Sequence, residues 1–336
     1  MTDIATICAD PQWLPHRYHA AEGQVEFLYA EPAQMRAATF LADLDTVHPE
    51  RRCRLSVAQV AGITDVPGGA LHFVFHTAFC RSTLLTRALD IPGIAFGLSE
   101  PAILNDLSHA GREAFPILAP ILSLLARPIE GAPIIVVKPS NVANNLLPAL
   151  LSARPESRGL LLSGSLSAFL WSVHKKGLMG RSWTRRLYRR VSQFAPLDLG
   201  MDEAAMFELS DLQVAALAWL LQQRYFAMAL GSRVGARLAT LDSADLMDAR
   251  LDALEGTGRH FGIALAREHW RDLAEGPVFA RHAKLGGDFE GIVSLEDEAA
   301  RSTVVQEEVA MVEQWIAAIA GQIGLTVPVR KPLFER

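Results

Sequence analysis

Side chains able to hold and move negative charge gather in a few short stretches of this chain. The first is His76-Thr77-Ala78-Phe79-Cys80-Arg81-Ser82-Thr83. It joins an apolar, β-prone run, Leu71 to Phe75, to a helical pattern in which Leu84, Leu85, Ala88 and Leu89 share one face. A strand that feeds a helix through a short loop aims several backbone N–H groups at one spot, where the helix dipole also favours negative charge. A phosphate or sulfate is the ligand for such a turn, with Ser82 or Thr83 placed to cap the helix. Glu100, ahead of Pro101 at a helix start, is a carboxylate that burial can tune toward general-base work. Lys138 ends the aliphatic run Ile134 to Val137 and can neutralise charge that develops on a transferring group. His72 and His76 flank Val74 at strand spacing and share a face; His72 reads as a core histidine, and His76 as an orienter of Glu100 or an alternative base.

The elements that must position these residues follow from the change of period along the chain. Runs at Leu71–Phe75, Ala132–Val137 and Gly159–Ser163 are apolar without alternation, as in strands buried on both faces of a parallel sheet. Helical patterns lie between them, so the order is that of βαβ units in a three-layer, doubly wound, mainly parallel α/β fold. A helix is expected over 142–153, another over 165–175, a long one over 202–230, and a late strand over 236–241. Residues 1–69 read as an N-terminal extension with a strand at Val25–Tyr29 and a helix over 33–44. Residues 70–180 carry the ligand-binding core, and 181–336 are a mostly helical remainder within a single domain. In such sheets ligands sit beyond the carboxyl ends of the strands. Those ends are the His76–Arg81 loop, Lys138-Pro139-Ser140 and Ser163-Gly164-Ser165.

Set against the Walker A pattern, the loop puts Arg81 at the second glycine, Ser82 at the lysine and Thr83 at the final hydroxyl. A hydroxyl pair in place of Lys-Ser resembles the phosphosulfate loop of sulfotransferases, [KR]-S-G-T-T-x-L, here Phe79-Cys-Arg-Ser-Thr-Leu-Leu85. Gly97-Leu-Ser-Glu100-Pro101 and Lys138-Pro139 resemble the stretches that follow that loop in the bacterial and tyrosylprotein members. The resemblance covers roughly 70–180 and departs from the pattern at Phe79, where the family has a basic residue. It departs again at Gly164, which stands where an arginine belongs if Ser172 is the family's serine. It implies a P-loop-like fold and 3′-phosphoadenosine 5′-phosphosulfate as co-substrate, with no metal. It further implies Glu100, Lys138, His76 and Arg81 at the reacting group, and Phe79, Cys80, Arg81, Ser82, Thr83 and Ser172 at the donor. Basic residues that could replace the lost charge are Lys175 and Lys176, at the start of a run to Arg190 that contains no acid, and Arg281 and Lys284 before Gly286 and Gly287. Arg181 and the arginine pairs after it are expected on a flap.

Composition narrows the alternatives. Half of the 336 residues are hydrophobic and 21% are charged, which suits one enzyme-sized globular domain. A net charge of −5 offers no general attraction to nucleic acid or to an anionic membrane. Cys8, Cys53 and Cys80 form no CxxC pair, which points to a reducing compartment and away from zinc. With no signal-peptide pattern in residues 1–15 and no spanning apolar run, the expectation is a cytoplasmic protein acting on a small-molecule or peptide acceptor. Two rival readings stand beside this one. A P-loop kinase would need a loop lysine and an acidic metal ligand at a strand end, where Lys138 and Ser163 stand instead; Asp242 reads as a helix cap. A non-catalytic nucleotide-binding or scaffold protein would explain Phe79 and Gly164.

Overall fold

The computed structural model describes residues 3–46, 51–64, 66–280 and 303–334. Among the described residues, eight strands divide between two sheets. β1 (Trp13–His19), β2 (Gln24–Tyr29) and β3 (Arg52–Ser56) form an antiparallel sheet in the N-terminal extension. β4 (Ala70–His76), β5 (Ala95–Ser99), β6 (Ile134–Lys138), β7 (Gly159–Ser163) and β8 (Leu238–Asp242) form a parallel sheet in the order β5-β6-β4-β7-β8. The parallel α/β expectation therefore holds, and helices cover both faces. Phe73, Phe75, Ile135, Val137 and Leu161 point into one apolar cluster; Val74, Val136, Leu160 and Leu162 point into the other. That alternation within unbroken apolar runs is the pattern of strands buried on both sides.

Chain order makes β4 the pivot of the sheet. From β4 the chain goes to β5 on one flank, whereas from β7, its neighbour, it goes on to β8 at the other edge. Neighbouring strands whose exits diverge leave a crevice at their carboxyl ends, the usual ligand position in open α/β sheets. The loop after β4 and the segment Ser163-Gly164-Ser165 after β7 flank that crevice.

Several local expectations are corrected. β5 was not anticipated, because Ala95-Phe-Gly-Leu-Ser99 lacks β-branched residues and holds Gly97 at its centre. The glycine is required there: a Cβ would lie 2.7 Å from the carbonyl oxygen of Thr86 in the helix Ser82–Ala88. The helix expected over 33–44 is instead a short helix, Pro32–Ala37, followed by a 3₁₀ segment, Leu41–Thr46. The one over 142–153 begins as a 3₁₀ turn, Asn141–Leu146, before Leu147–Ala153. The long helix expected over 202–230 is broken, with Glu203–Phe207 and Asp211–Leu230 separated by Ser210, whose capping box with Gln213 starts the second.

The N-terminal extension is held to the parallel sheet by charge. Arg127 is buried, and its guanidinium donates to the carbonyl oxygens of Leu124, Ile7, Asp10 and Trp13. Burial lowers its pKa to about 10, still well above neutrality. Arg36 pairs with Asp90 at 2.7 Å and lies 4.6 Å over the Phe96 ring of β5, so this segment runs along the edge strand. Gly97→Ala should lower unfolding stability by roughly 1–3 kcal/mol, because the new methyl pushes the helix after β4 off the sheet. Urea unfolding of the two proteins tests this, and equal midpoints would remove the close approach as a constraint.

Candidate functional site

The loop after β4 turns tightly without a glycine. Phe79 and Arg81 both adopt left-handed backbone angles, φ +57° and +61°, a conformation unfavourable for residues with a Cβ. Packing compensates: the Phe79 ring lies 5.6 Å from Phe169 and 5.3 Å from Trp183. Left-handed residues alternating along the chain form a concave nest of N–H groups. Among the described residues, no backbone carbonyl accepts from the N–H groups of Ala78, Phe79 or Arg81, while the turn at Ala78–Phe79 draws the Cys80 N–H toward the carbonyl oxygen of Thr77. Nearby, the buried Thr77 hydroxyl also lacks a hydrogen-bond partner among the described residues. Donors left open in this way fit an anion.

The helix cap differs from the expectation. Arg81 occupies the N-cap with no side-chain hydrogen bond, while Ser82 and Thr83 lie buried in the first turn. The Cys80 thiol points inward and donates to the carbonyl oxygen of Thr77 at 2.7 Å. Burial pushes its pKa up to about 11, so it stays a thiol at neutral pH, and only its backbone faces the nest.

Beside the loop, three titratable side chains converge from three strand ends. Lys138, wholly buried, places Nζ 2.5 Å from Oε1 of Glu100. Glu100 itself takes φ +51°, and its N–H donates to the carbonyl oxygen of Lys138 at 2.7 Å, which ties the ends of β5 and β6 together. Nε2 of His76 lies 3.9 Å from the same Glu100 oxygen. The imidazole is fixed between two carbonyl oxygens, Thr77 at 2.8 Å from Nδ1 and Pro139 at 3.0 Å from Nε2. Both are acceptors only, so satisfying both contacts takes two ring N–H groups. His72, by contrast, is a structural histidine: its Nδ1 accepts from the Arg158 N–H at 3.1 Å, its ring stacks on Phe261, and burial lowers its pKa to about 4.

Three contributors to this region were not read from the sequence. Phe40, from the N-terminal extension, sets its ring 5.1 Å from Nζ of Lys138. Asn144 donates to the carbonyl oxygen of His76 at 3.0 Å, and Thr77 supplies the open hydroxyl described above. The polar cluster Asn141, Asn144 and Asn145, following a buried strand, was a signal for the second. Nothing local announces Phe40, whose place depends on the fold of the extension.

On the β7 side the expected donor contacts are less evident. Ser172 donates to the carbonyl oxygen of Ala168 within its own helix, Leu166–Lys175, at 2.8 Å. A Cβ at Gly164 would approach Oγ of Ser243 to 2.9 Å, so the position is crowded for an arginine stem. Lys176 does reach the loop, with Nζ 5.6 Å over the Phe79 ring, so a cation stands at the place where Phe79 brings none. Lys175 and Arg81 are exposed nearby. The flap expectation is corrected: Arg181 to Arg190 belong to one helix, Gly177–Val191. Arg181 and Arg185 pair with Asp211 at 3.8 and 2.9 Å. Arg281 and Lys284 lie outside the described residues, and Asp242 is a helix cap, accepting from the Ala244 N–H at 2.8 Å.

No protein-family model matches this chain, and no curated protein matches it. Among solved structures it is similar to a sulfotransferase domain from the curacin biosynthetic pathway, with 12% sequence identity and a TM-score of 0.40. The match covers 78% of this chain and 99% of that domain. A likeness this distant carries neither an activity nor a residue role.

The ion pair has a measurable consequence. Removing the partner of a buried ammonium leaves an uncompensated charge, so Glu100→Gln should cost about 3–5 kcal/mol, far more than an exposed carboxylate would. Lys138→Met added to it should recover much of that loss. A chemical-denaturation double-mutant cycle with no coupling between the two changes would separate the residues energetically.

Proposed function

We propose that this protein transfers a sulfuryl group from 3′-phosphoadenosine 5′-phosphosulfate to a hydroxyl or amine acceptor. The observation that carries the reading is the glycine-free nest of open amides after β4, set beside the Glu100–Lys138–His76 cluster. The donor set is all amide, hydroxyl and cation. The neighbouring strand ends present Lys138 and Ser163, not the acid that a magnesium nucleotide would need. That favours a sulfonated nucleotide over a nucleoside triphosphate.

In this reading the loop amides, with Ser82 and Thr83, hold the 5′-phosphate, and Lys176 and Arg81 add positive charge at its rim. Sulfuryl transfer needs alignment and charge stabilisation more than covalent help from the protein. The acceptor's proton goes to the Glu100 carboxylate as its oxygen or nitrogen bonds to sulfur. The bond between sulfur and the bridging oxygen breaks, and the electron pair leaves with the phosphate. Lys138 neutralises that departing charge, and His76 steadies the carboxylate.

The crowded Gly164 and the internally bonded Ser172 favour a second reading, in which the fold binds a nucleotide without turning it over. Thermal melting addresses the donor. Adenosine 3′,5′-bisphosphate should raise the melting temperature more than ADP with magnesium does, since selective binding is stabilising. A larger shift with magnesium ADP or ATP would falsify the sulfuryl reading. Turnover addresses the second reading. Glu100→Gln, assayed below its own melting temperature, should keep bisphosphate binding while transfer, or donor hydrolysis in water, falls by about 10²–10⁴. Donor binding without any turnover in the unaltered protein establishes the non-catalytic alternative.

A further inference from the structure

The helix Gly177–Val191 turns an unusual face to solvent. Leu178 is 80% exposed and Met179 78%. At helical spacing they share a side with Ser182, Arg185, Arg186 and Arg189, and no acid falls among them. Arg185 is bound to Asp211, but Arg186 and Arg189 are exposed and make no ion pair among the described residues. Phe207, 87% exposed, ends the short helix just ahead of Asp211, the acid that both Arg181 and Arg185 grip. Phe207, Leu178 and Met179 are the three most exposed large hydrophobic residues described, but Phe207 sits on a separate short helix, Glu203–Phe207, among the exposed acids Asp202, Glu203 and Glu208, so the apolar and basic face is that of Leu178 and Met179.

Residues exposed to that degree protrude; they do not line a groove. A protein partner would need a complementary hollow for each of them, whereas a bilayer accepts protrusions wherever they fall. Cations on the same helix face suit anionic headgroups, which attract basic side chains close to the surface. The net charge of the chain is −5, so this attraction is local. We propose that this face is a docking surface for an anionic lipid bilayer, with Leu178 and Met179 entering the headgroup region and Arg186 and Arg189 resting on lipid phosphates. The same helix carries Trp183 against Phe79 of the loop, and Lys176, just before it, lies over that ring. Docking would therefore hold the candidate site close to the membrane plane. The proposal goes beyond sulfuryl transfer and does not depend on it.

Vesicle co-sedimentation of the full chain is the test. Binding should be strong to phosphatidylcholine vesicles containing phosphatidylserine, weak to phosphatidylcholine alone, and reduced by salt. Leu178→Ser/Met179→Ser and, separately, Arg186→Glu/Arg189→Glu should each lower binding at least tenfold with an unchanged melting temperature. These side chains are exposed, so the variants are expected to fold. Absence of binding to the anionic vesicles overturns the proposal. So does binding that only the charge reversals reduce, the mark of a patch for acidic protein or another polyanion. Equal binding to neutral vesicles overturns it as well, because the arginines then contribute nothing.

Discussion

A buried ammonium governs the architecture of the candidate site. Lys138 has no access to water, and the desolvation penalty of a lone cation there would be several kcal/mol. Glu100 offsets it, but only because β5 lies beside β6 and ends at the same level. That adjacency in turn needs Gly97, which lets the helix after β4 settle against β5 closely enough to keep the strand in register. Phe40 then encloses the pair from the extension. One charge thus connects the sheet order, a glycine and a segment nearly a hundred residues away in sequence.

The same arrangement constrains its chemistry. A carboxylate bound to a lysine is a weak proton acceptor until the lysine is drawn elsewhere, and an incoming anion would do that. His76, confined between the carbonyl oxygens of Thr77 and Pro139, stands 3.9 Å from that carboxylate without a hydrogen bond to it. The cluster is fixed by its own charges and by backbone carbonyls, in keeping with the general advantage of fixed dipoles and charges over groups that must reorient.

How much of this was legible in the residues varies with what each property depends on. Unbroken aliphatic runs revealed β4, β6 and β7, because burial on both faces leaves no alternation to confuse. β1 and β3 were missed: each mixes polar with apolar residues, and Pro15 sits where the β1–β2 register shifts. β5 was missed because its centre is a glycine chosen for clearance. His76, Glu100 and Lys138 could be proposed together, since each sits at a strand or helix boundary where the change of period is visible. The acid that answers Arg181 and Arg185 could not, because Asp211 belongs to a later helix. The capping box of Ser210 with Gln213 is legible in the sequence as a helix start.

The loop after β4 shows where structural information can reside. Its left-handed turns at Phe79 and Arg81 are ordinarily written into a chain as glycines, inside the loop itself. Here the instruction is distributed to Phe169 and Trp183, on two later helices, whose rings hold Phe79 in place. The shape of the loop has become a tertiary property. Two chains could then share that shape while sharing almost no letters within it, and two chains with matching letters could lack it. Mutational drift in such a protein would be read most sensitively in the aromatic supports, well outside the loop itself.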